Sequence, residues 1–443
     1  MQETNGINIV RLTTAFLGLF LCSYVFLSWK SCSTVTNGSK TAGEGLRDAR
    51  RKASCGVQEE GWVDVKVVSK TSDGGLLDAS DASGDDFYTS TWPPLKEALC
   101  GEGAPNLHMA PMLFKLARDE VFFTDQATDY APTRPLESMN TTELERSIEE
   151  KRVTPTAKYF FGGNWGISVL NGNYTRKDSG DFSLFKTRYV RMWKGGNNQI
   201  RALEEDLAEE LGITDYESEM HMKEAHFETQ DGVEPCIYTA VRDPISHFMS
   251  GYNEIEFRTF RTHTWPEARY HFDHPLDKND HNATKDRFRG FVEDLLVEDG
   301  SFLVNSVYSH PFAMSRVLVS LGQEGYRLHG YLPDLTDLSN RWPQFLVDTC
   351  PGLPPLEAFP KPKVEGQHKS SSDPLGTYAA SKEVWADGGP TARAMCLLSA
   401  PDYACYEDLP DGIPEFCQTV YTDHAQALTE YGRKHYMKYE RLH

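Results

Sequence analysis

The stretch C-I-Y-T-A-V-R-D-P-I-S-H-F-M-S-G-Y, residues 236–252, decides how this chain is read. Ile237 to Val241 is a short, apolar, β-branched run that predicts a buried strand. Arg242 stands where that strand ends. Pro244 lacks the N–H a ladder needs and pre-sets a turn. Ser250 follows eight residues after Arg242, in a segment whose Phe248, Met249 and Tyr252 suit a helix. A guanidinium fork and a hydroxyl thereby meet at the carboxyl end of a strand, where open α/β sheets bind ligands. A guanidinium fork matches a phosphate. The alternative is an arginine paired with its neighbour Asp243.

A second stretch, Y-V-R-M-W-K-G-G-N-N at 189–198, strengthens the first. It reads as a strand, a Lys194-Gly195-Gly196 turn and the start of a helix. Ile200, Leu203, Leu207 and Leu211 share one helix face. Glu204, Glu205, Asp206, Glu209 and Glu210 are expected on the wet side. Asn197 or Asn198 is the N-cap candidate. Strand, glycine turn and helix N-terminus form an anion cradle of free N–H groups, a positive dipole end and a lysine. The G-x-x-x-x-G-K-[ST] spacing of a Walker loop is absent. An ordinary surface turn is the alternative.

In this order, about 50 residues apart, the two stretches resemble the phosphosulfate-binding motifs of Golgi carbohydrate sulfotransferases. The resemblance implies that Lys194, Gly195, Gly196, Asn197 and Asn198 hold the 5′-phosphosulfate of 3′-phosphoadenosine-5′-phosphosulfate (PAPS). It implies that Arg242 and Ser250 hold the 3′-phosphate. Asn197 and Asn198 depart from the family pattern, which has hydroxyl residues there. The similarity spans roughly 155–440. F-V-E-D-L-L at 291–296, G-Y-L-P-D-L-T-D-L at 330–338 and V-Y-T-D-H-A-Q-A-L at 420–428 look like the family's later helix, strand and closing helix. The loop E-G-Q-H-K-S-S-S at 365–372 resembles the polar loop that closes over the nucleotide; a solvated serine-rich loop is the alternative. A carbohydrate acceptor and no metal requirement are further implications.

Composition narrows the function classes. Forty-five basic and 65 acidic residues give a net charge of −20. That argues against nucleic acid or an anionic membrane surface as the main partner. Basic residues do gather near the motifs: Lys186, Arg188, Arg191, Lys194 and Arg201, then Arg258, Arg261 and Arg269. They form either a local basic cleft or a solvated face.

Residues 12–29 carry no charge over 18 positions, about the minimum to span a bilayer. A single-pass anchor with a short cytoplasmic tail is the preferred reading, and a cleavable signal peptide is the alternative. Downstream lie four Asn-x-Ser/Thr sequons, at Asn37, Asn140, Asn173 and Asn282, and eight of the nine cysteines lie beyond the apolar segment. Both fit a type II protein of the Golgi membrane with its C-terminal part in the lumen. Cys350, Cys396, Cys405 and Cys417 are expected in disulfides. No paired C-x-x-C units point to zinc. Cys236, at the start of a buried strand, reads as a free core thiol.

The expected organisation is a cytoplasmic tail (1–11), a membrane anchor (12–29), a disordered stem (30–90), an extension packed on the main domain (91–154) and a catalytic domain (155–443). Within the extension, 113–123 suits either a helix or a strand, and 142–152 a polar surface helix. From about 155 onward, strand-like runs alternate with helical patterns. The fold class is therefore α/β, with a doubly wound, mostly parallel sheet flanked by helices, P-loop-like.

Sulfuryl transfer also needs a base for the acceptor proton. The family places a His or Glu between or near the two motifs, and M-H-M-K-E-A-H-F-E at 220–228 is the matching segment. On a strand, Glu224, His226 and Glu228 share one face and His221 the other. His226 is preferred, with Glu224 as orienting partner or competing base. His247, His263 and His310 are weaker candidates. Three other classes compete. A metal-dependent glycosyltransferase would carry Asp-x-Asp, which this chain lacks. A P-loop kinase would show the Walker spacing. A catalytically inactive binding module of the same fold is the third.

Overall fold

The computed structural model describes residues 86–106, 108–123, 166–176, 179–221, 224–225, 227–229, 232–262, 276–277, 279–297, 310–361 and 373–435. The apolar segment 12–29, nearly all of the stem, the helix expected at 142–152 and the loop 365–372 lie outside them. Among the described residues no helix is long and apolar enough to cross a membrane.

In chain order the elements begin with α1 (Trp92–Leu99), α2 (Met109–Phe122), β1 (Gly166–Thr175), β2 (Phe182–Val190), α3 (Asn197–Leu211) and β3 (Asp215–His221). There follow β4 (Cys236–Ala240), α4 (Pro244–Thr262), α5 (His281–Val297), α6 (Arg316–Gln323) and β5 (Gly330–Leu332). The chain then forms α7 (Leu338–Thr349), α8 (Thr377–Ala386), α9 (Pro390–Cys405) and α10 (Glu415–His435). The segment 113–123, open between helix and strand, falls almost entirely in α2.

The sheet order is β3-β1-β2-β4-β5. β2, β4 and β5 pair in parallel, while β1 pairs antiparallel with both β2 and β3. Four of the five strands therefore run the same way, and β1 is the exception. The reason is local: β1 turns straight back into β2 through a tight connection. There the Arg176 amide donates to Asp181 at 2.8 Å, and Gly180 takes φ 73°. A short connection of this kind joins only antiparallel neighbours; parallel ones need a crossover.

Alternation along the strands divides the core into two layers. Ile167, Val169, Val190 and Ile237 face α4, α5 and α9. Leu170, Phe185, Tyr189, Tyr238 and Ala240 face α3 and α7. Helices thus cover both faces. All five residues of β4 are buried, as expected of a central parallel strand read from an uninterrupted apolar run.

Two expectations fail on α3. Ile200, Leu203 and Leu207 are buried as the periodicity requires, but so is Glu204, which belongs to the supposed wet side. It lies in the α3–sheet interface, where the Tyr238 hydroxyl donates to its Oε1 at 2.8 Å. The N-cap is Gly196 rather than an asparagine. Gly196 adopts φ 76°, a left-handed conformation that costs glycine nothing.

Among the described residues three disulfides brace the fold: Cys100–Cys405, Cys236–Cys350 and Cys396–Cys417. All four C-terminal cysteines are bonded, yet only Cys396 and Cys417 pair within the cluster. Cys236 is not the free thiol expected. The end of α7 returns to the start of β4, so Cys350 meets it across 114 residues of chain.

Candidate functional site

The two motifs are brought together by strand pairing. Thr187, Arg188 and Tyr189 of β2 lie opposite Cys236, Ile237 and Tyr238 of β4, in parallel. The carboxyl ends of both strands are therefore level. The Lys194 turn and Arg242 leave the sheet at the same edge.

The turn is tightly built. The Gly195 amide donates to the Met192 carbonyl at 3.0 Å. A Cβ on Gly195 would lie 2.7 Å from the Ala240 carbonyl oxygen, so only glycine lets the loop rest against the end of β4. Lys194 takes φ 62°, uncommon for a residue with a side chain. Helix α3 starts directly after Gly196. Its first amides, at Asn197 and Asn198, lack an intrahelical acceptor by construction. The Asn197 side chain is buried, and its Oδ1 accepts from the Tyr189 hydroxyl at 2.8 Å. Asn198 is exposed.

The second motif is equally ordered. Asp243 does not pair with Arg242. Its Oδ1 accepts from the Ser246 amide at 2.6 Å, capping α4, and its Oδ2 accepts from the Tyr403 hydroxyl at 2.7 Å. Arg242 is half-buried and makes no hydrogen bond or ion pair with the described residues. Ser250, also half-buried, lies on α4 two turns beyond its start. Gly251 permits close packing of the 310–311 turn, since a Cβ there would lie 2.4 Å from Pro311 backbone atoms.

Two contacts join the motifs directly. His247 Nε2 lies 2.8 Å from the Trp193 carbonyl oxygen. Burial pushes this imidazole down to about 3, so it is neutral and its Nε2–H donates. His247 thus acts as a strut between the two motifs. Lys194 Nζ lies 2.6 Å from Glu254 Oε2, and Arg258 Nε lies 2.6 Å from Glu254 Oε1. Burial works to raise the Glu254 carboxyl, but Lys194 and Arg258 overcome it and hold it at about 2. Glu254 was missed in the sequence. Ser250, Glu254 and Arg258 stand at i, i+4 and i+8, and that spacing was the available signal.

The base segment differs from expectation. β3 ends at His221, so strand alternation does not carry on to Glu224. Glu224 is exposed just past the strand, and Glu228 is exposed as well. His226 lies outside the described residues, as does His263. His310 is buried, its ring 5.0 Å from that of Trp193. His221 lies opposite Gly166, and the Arg191 amide donates to the Gly166 carbonyl. The end of β3 is therefore at the same edge as the Lys194 turn, two strands away.

Several of the clustered basic residues serve the frame. Arg188 is buried and donates to Asn171 Oδ1 and the Ala225 carbonyl. Arg191 and Arg201 share Glu219. The side chains of Arg261 and Arg269 lie outside the described residues. Among the described residues no group of three His, Cys, Asp or Glu is placed to hold a metal ion.

No family model matches the chain, and no curated protein or solved structure matches it either. The arrangement itself offers an anion site. The Lys194 turn, the start of α3 and Arg242 lie at the carboxyl ends of β2 and β4, and Ser250 lies about two turns into α4.

Proposed function

We propose that this protein is a PAPS-dependent sulfotransferase acting on a hydroxyl or amine of a glycan. The observation that carries the reading is the meeting of the Lys194 turn and the Arg242 motif at the carboxyl ends of β2 and β4, tied by His247 to Trp193 and by Glu254 to Lys194. A half-buried arginine with no described partner, a hydroxyl and helix-start amides suit a ligand with two separated phosphates.

In this reading Arg242 and Ser250 hold the 3′-phosphate of the nucleotide. Lys194 and the amides of Gly196, Asn197 and Asn198 hold its 5′ end. The bound donor supplies the sulfuryl group. Lys194 then stabilises charge on the departing side, a task for a fixed cation in a partly dry site. Glu224 or His226 takes the acceptor proton. The P-loop-like topology, the Golgi location and the type II anchor at 12–29 belong to the same proposal, and the three disulfides suit an oxidising lumen.

A second reading, a nucleotide- or glycan-binding protein without activity, draws on two facts. Lys194 is already paired with Glu254, and the Asn197 side chain is taken by Tyr189. Thermal melting followed by a transfer assay separates the two. The expected result is stabilisation by 3′,5′-bisphosphoadenosine, none by ATP or UDP-sugars, and labelled sulfate moving from PAPS to a member of a glycan panel. Stabilisation without transfer to any acceptor favours the inactive module. No stabilisation removes the sulfotransferase and the nucleotide-binding module, and leaves only glycan binding.

A further inference from the structure

The hairpin of β1 and β2 carries a feature that the proposed activity does not use. Phe182 and Leu184, near its tip, are 62% and 39% exposed. Directly opposite them in register stand Thr175 and Asn173, the last and first residues of the sequon Asn173-Tyr174-Thr175. Opposed residues of an antiparallel pair share a face, with Cβ atoms about 5 Å apart. The other face of this hairpin packs inward, where a Cβ on Gly172 would meet Phe185 and Ile213. Asn173 is exposed, and its side chain makes no hydrogen bond with the described residues.

We infer that Asn173 is N-glycosylated and that its glycan lies over Phe182 and Leu184. In the transfer, the Asn173 amide nitrogen bonds to the first sugar carbon of a lipid-diphosphate-linked oligosaccharide. The bond from that carbon to the diphosphate breaks, the lipid diphosphate leaves, and the amide proton passes to the transferase's base. The product is a bulky hydrophilic group rooted one cross-strand pair from two exposed apolar side chains. Exposed apolar groups on a hairpin otherwise invite self-association. Asn282, the other described sequon, starts a helix whose Thr284 is buried and bonded to the Asp277 and Asp280 carbonyls.

The test uses the full chain made in microsomes, with wild type, Asn173→Gln and Thr175→Ala. Mass spectrometry after glycosidase digestion should find Asn173 converted to aspartate, and each variant should lose one glycan-sized step in gel mobility. Both variants should also bind more of a hydrophobic dye and self-associate, and adding Phe182→Ser with Leu184→Ser should reverse both effects. An unmodified Asn173 in a chain whose C-terminal part is lumenal overturns the site. Glycosylation with dye binding and size unchanged in both variants overturns the covering role.

Discussion

Lys194 and Glu254 form an ion pair of 2.6 Å between the glycine turn and the helix of the second motif. Both side chains are largely buried, at 15% and 16% exposure. In the proposed site, the lysine assigned to the leaving phosphate is held by a carboxylate one turn past Ser250. Any anion entering the site must compete with that carboxylate for Lys194 or sit beside its charge.

Glu254→Gln should consequently tighten 3′,5′-bisphosphoadenosine by roughly 1 kcal/mol, the scale of one partly screened charge a few ångströms away. Calorimetric titration of the folded variant measures this. An unchanged or weaker affinity would show that Glu254 serves the fold and not the site.

Arg242→Ala should weaken the same ligand by roughly 2 to 4 kcal/mol, since a charge-assisted partner of a partly buried phosphate is lost. Ser250→Ala should cost about 1 kcal/mol, as for one neutral donor. Equal, near-zero losses would place the 3′-phosphate elsewhere.

Lys194→Ala should affect turnover more than affinity. A drop of about 10²-fold in the rate is expected for one preorganised electrostatic group. The residue lies in a turn, so the variant should fold. Near-normal turnover would leave the turn without a catalytic part.

Glu204 and Glu120 predict opposite responses to pH. Burial raises the Glu204 carboxyl to about 7. The folded chain therefore keeps a proton that the unfolded chain releases above the ordinary value of 4.5, and stability falls as pH rises from there to about 7. Glu204→Gln should remove that slope, a relative gain on the order of 3 kcal/mol at pH 8 over pH 4. Glu120 is also buried, but hydrogen bonds from His424 and Arg393 overcome that burial and hold it at about 2. Its contribution is present above pH 4.5 and fades as pH falls toward 2. Arg393→Met should cost roughly 1 to 3 kcal/mol at neutral pH, because the Glu120 carboxylate loses two hydrogen bonds while His424 keeps one. Urea melts across pH check both. Parallel pH profiles for Glu204→Gln and wild type would count against the first.

What could be read from the residues were the local patterns. The apolar run before Arg242 marked a central strand, and the spacing of Ile200, Leu203 and Leu207 marked α3 and its buried face. What escaped depended on contacts distant in sequence. Glu204 looked solvated because a helical wheel has no knowledge of Tyr238. Cys236 looked free because its partner arrives from the far end of α7. Glu254 was invisible as a site residue until the Lys194 turn stood next to α4. The base candidates suffered from length: β3 stops at His221, one turn of chain before the alternation would have mattered.

Two neighbouring tyrosines set the mechanics of the site. Tyr189 and Tyr238, opposed across β2 and β4, each grip α3 through one hydroxyl, the first at Asn197 and the second at Glu204. The grips are seven residues apart, roughly 10 Å along the helix axis. Two pegs on one line remove the helix's freedom to roll about that axis. The fan of amides at its first turn then has a fixed heading, set from beneath by the sheet. In the proposed site, fitting ligands of different shape then falls to the long side chains of Lys194 and Arg242, because the first turn of α3 is held from beneath.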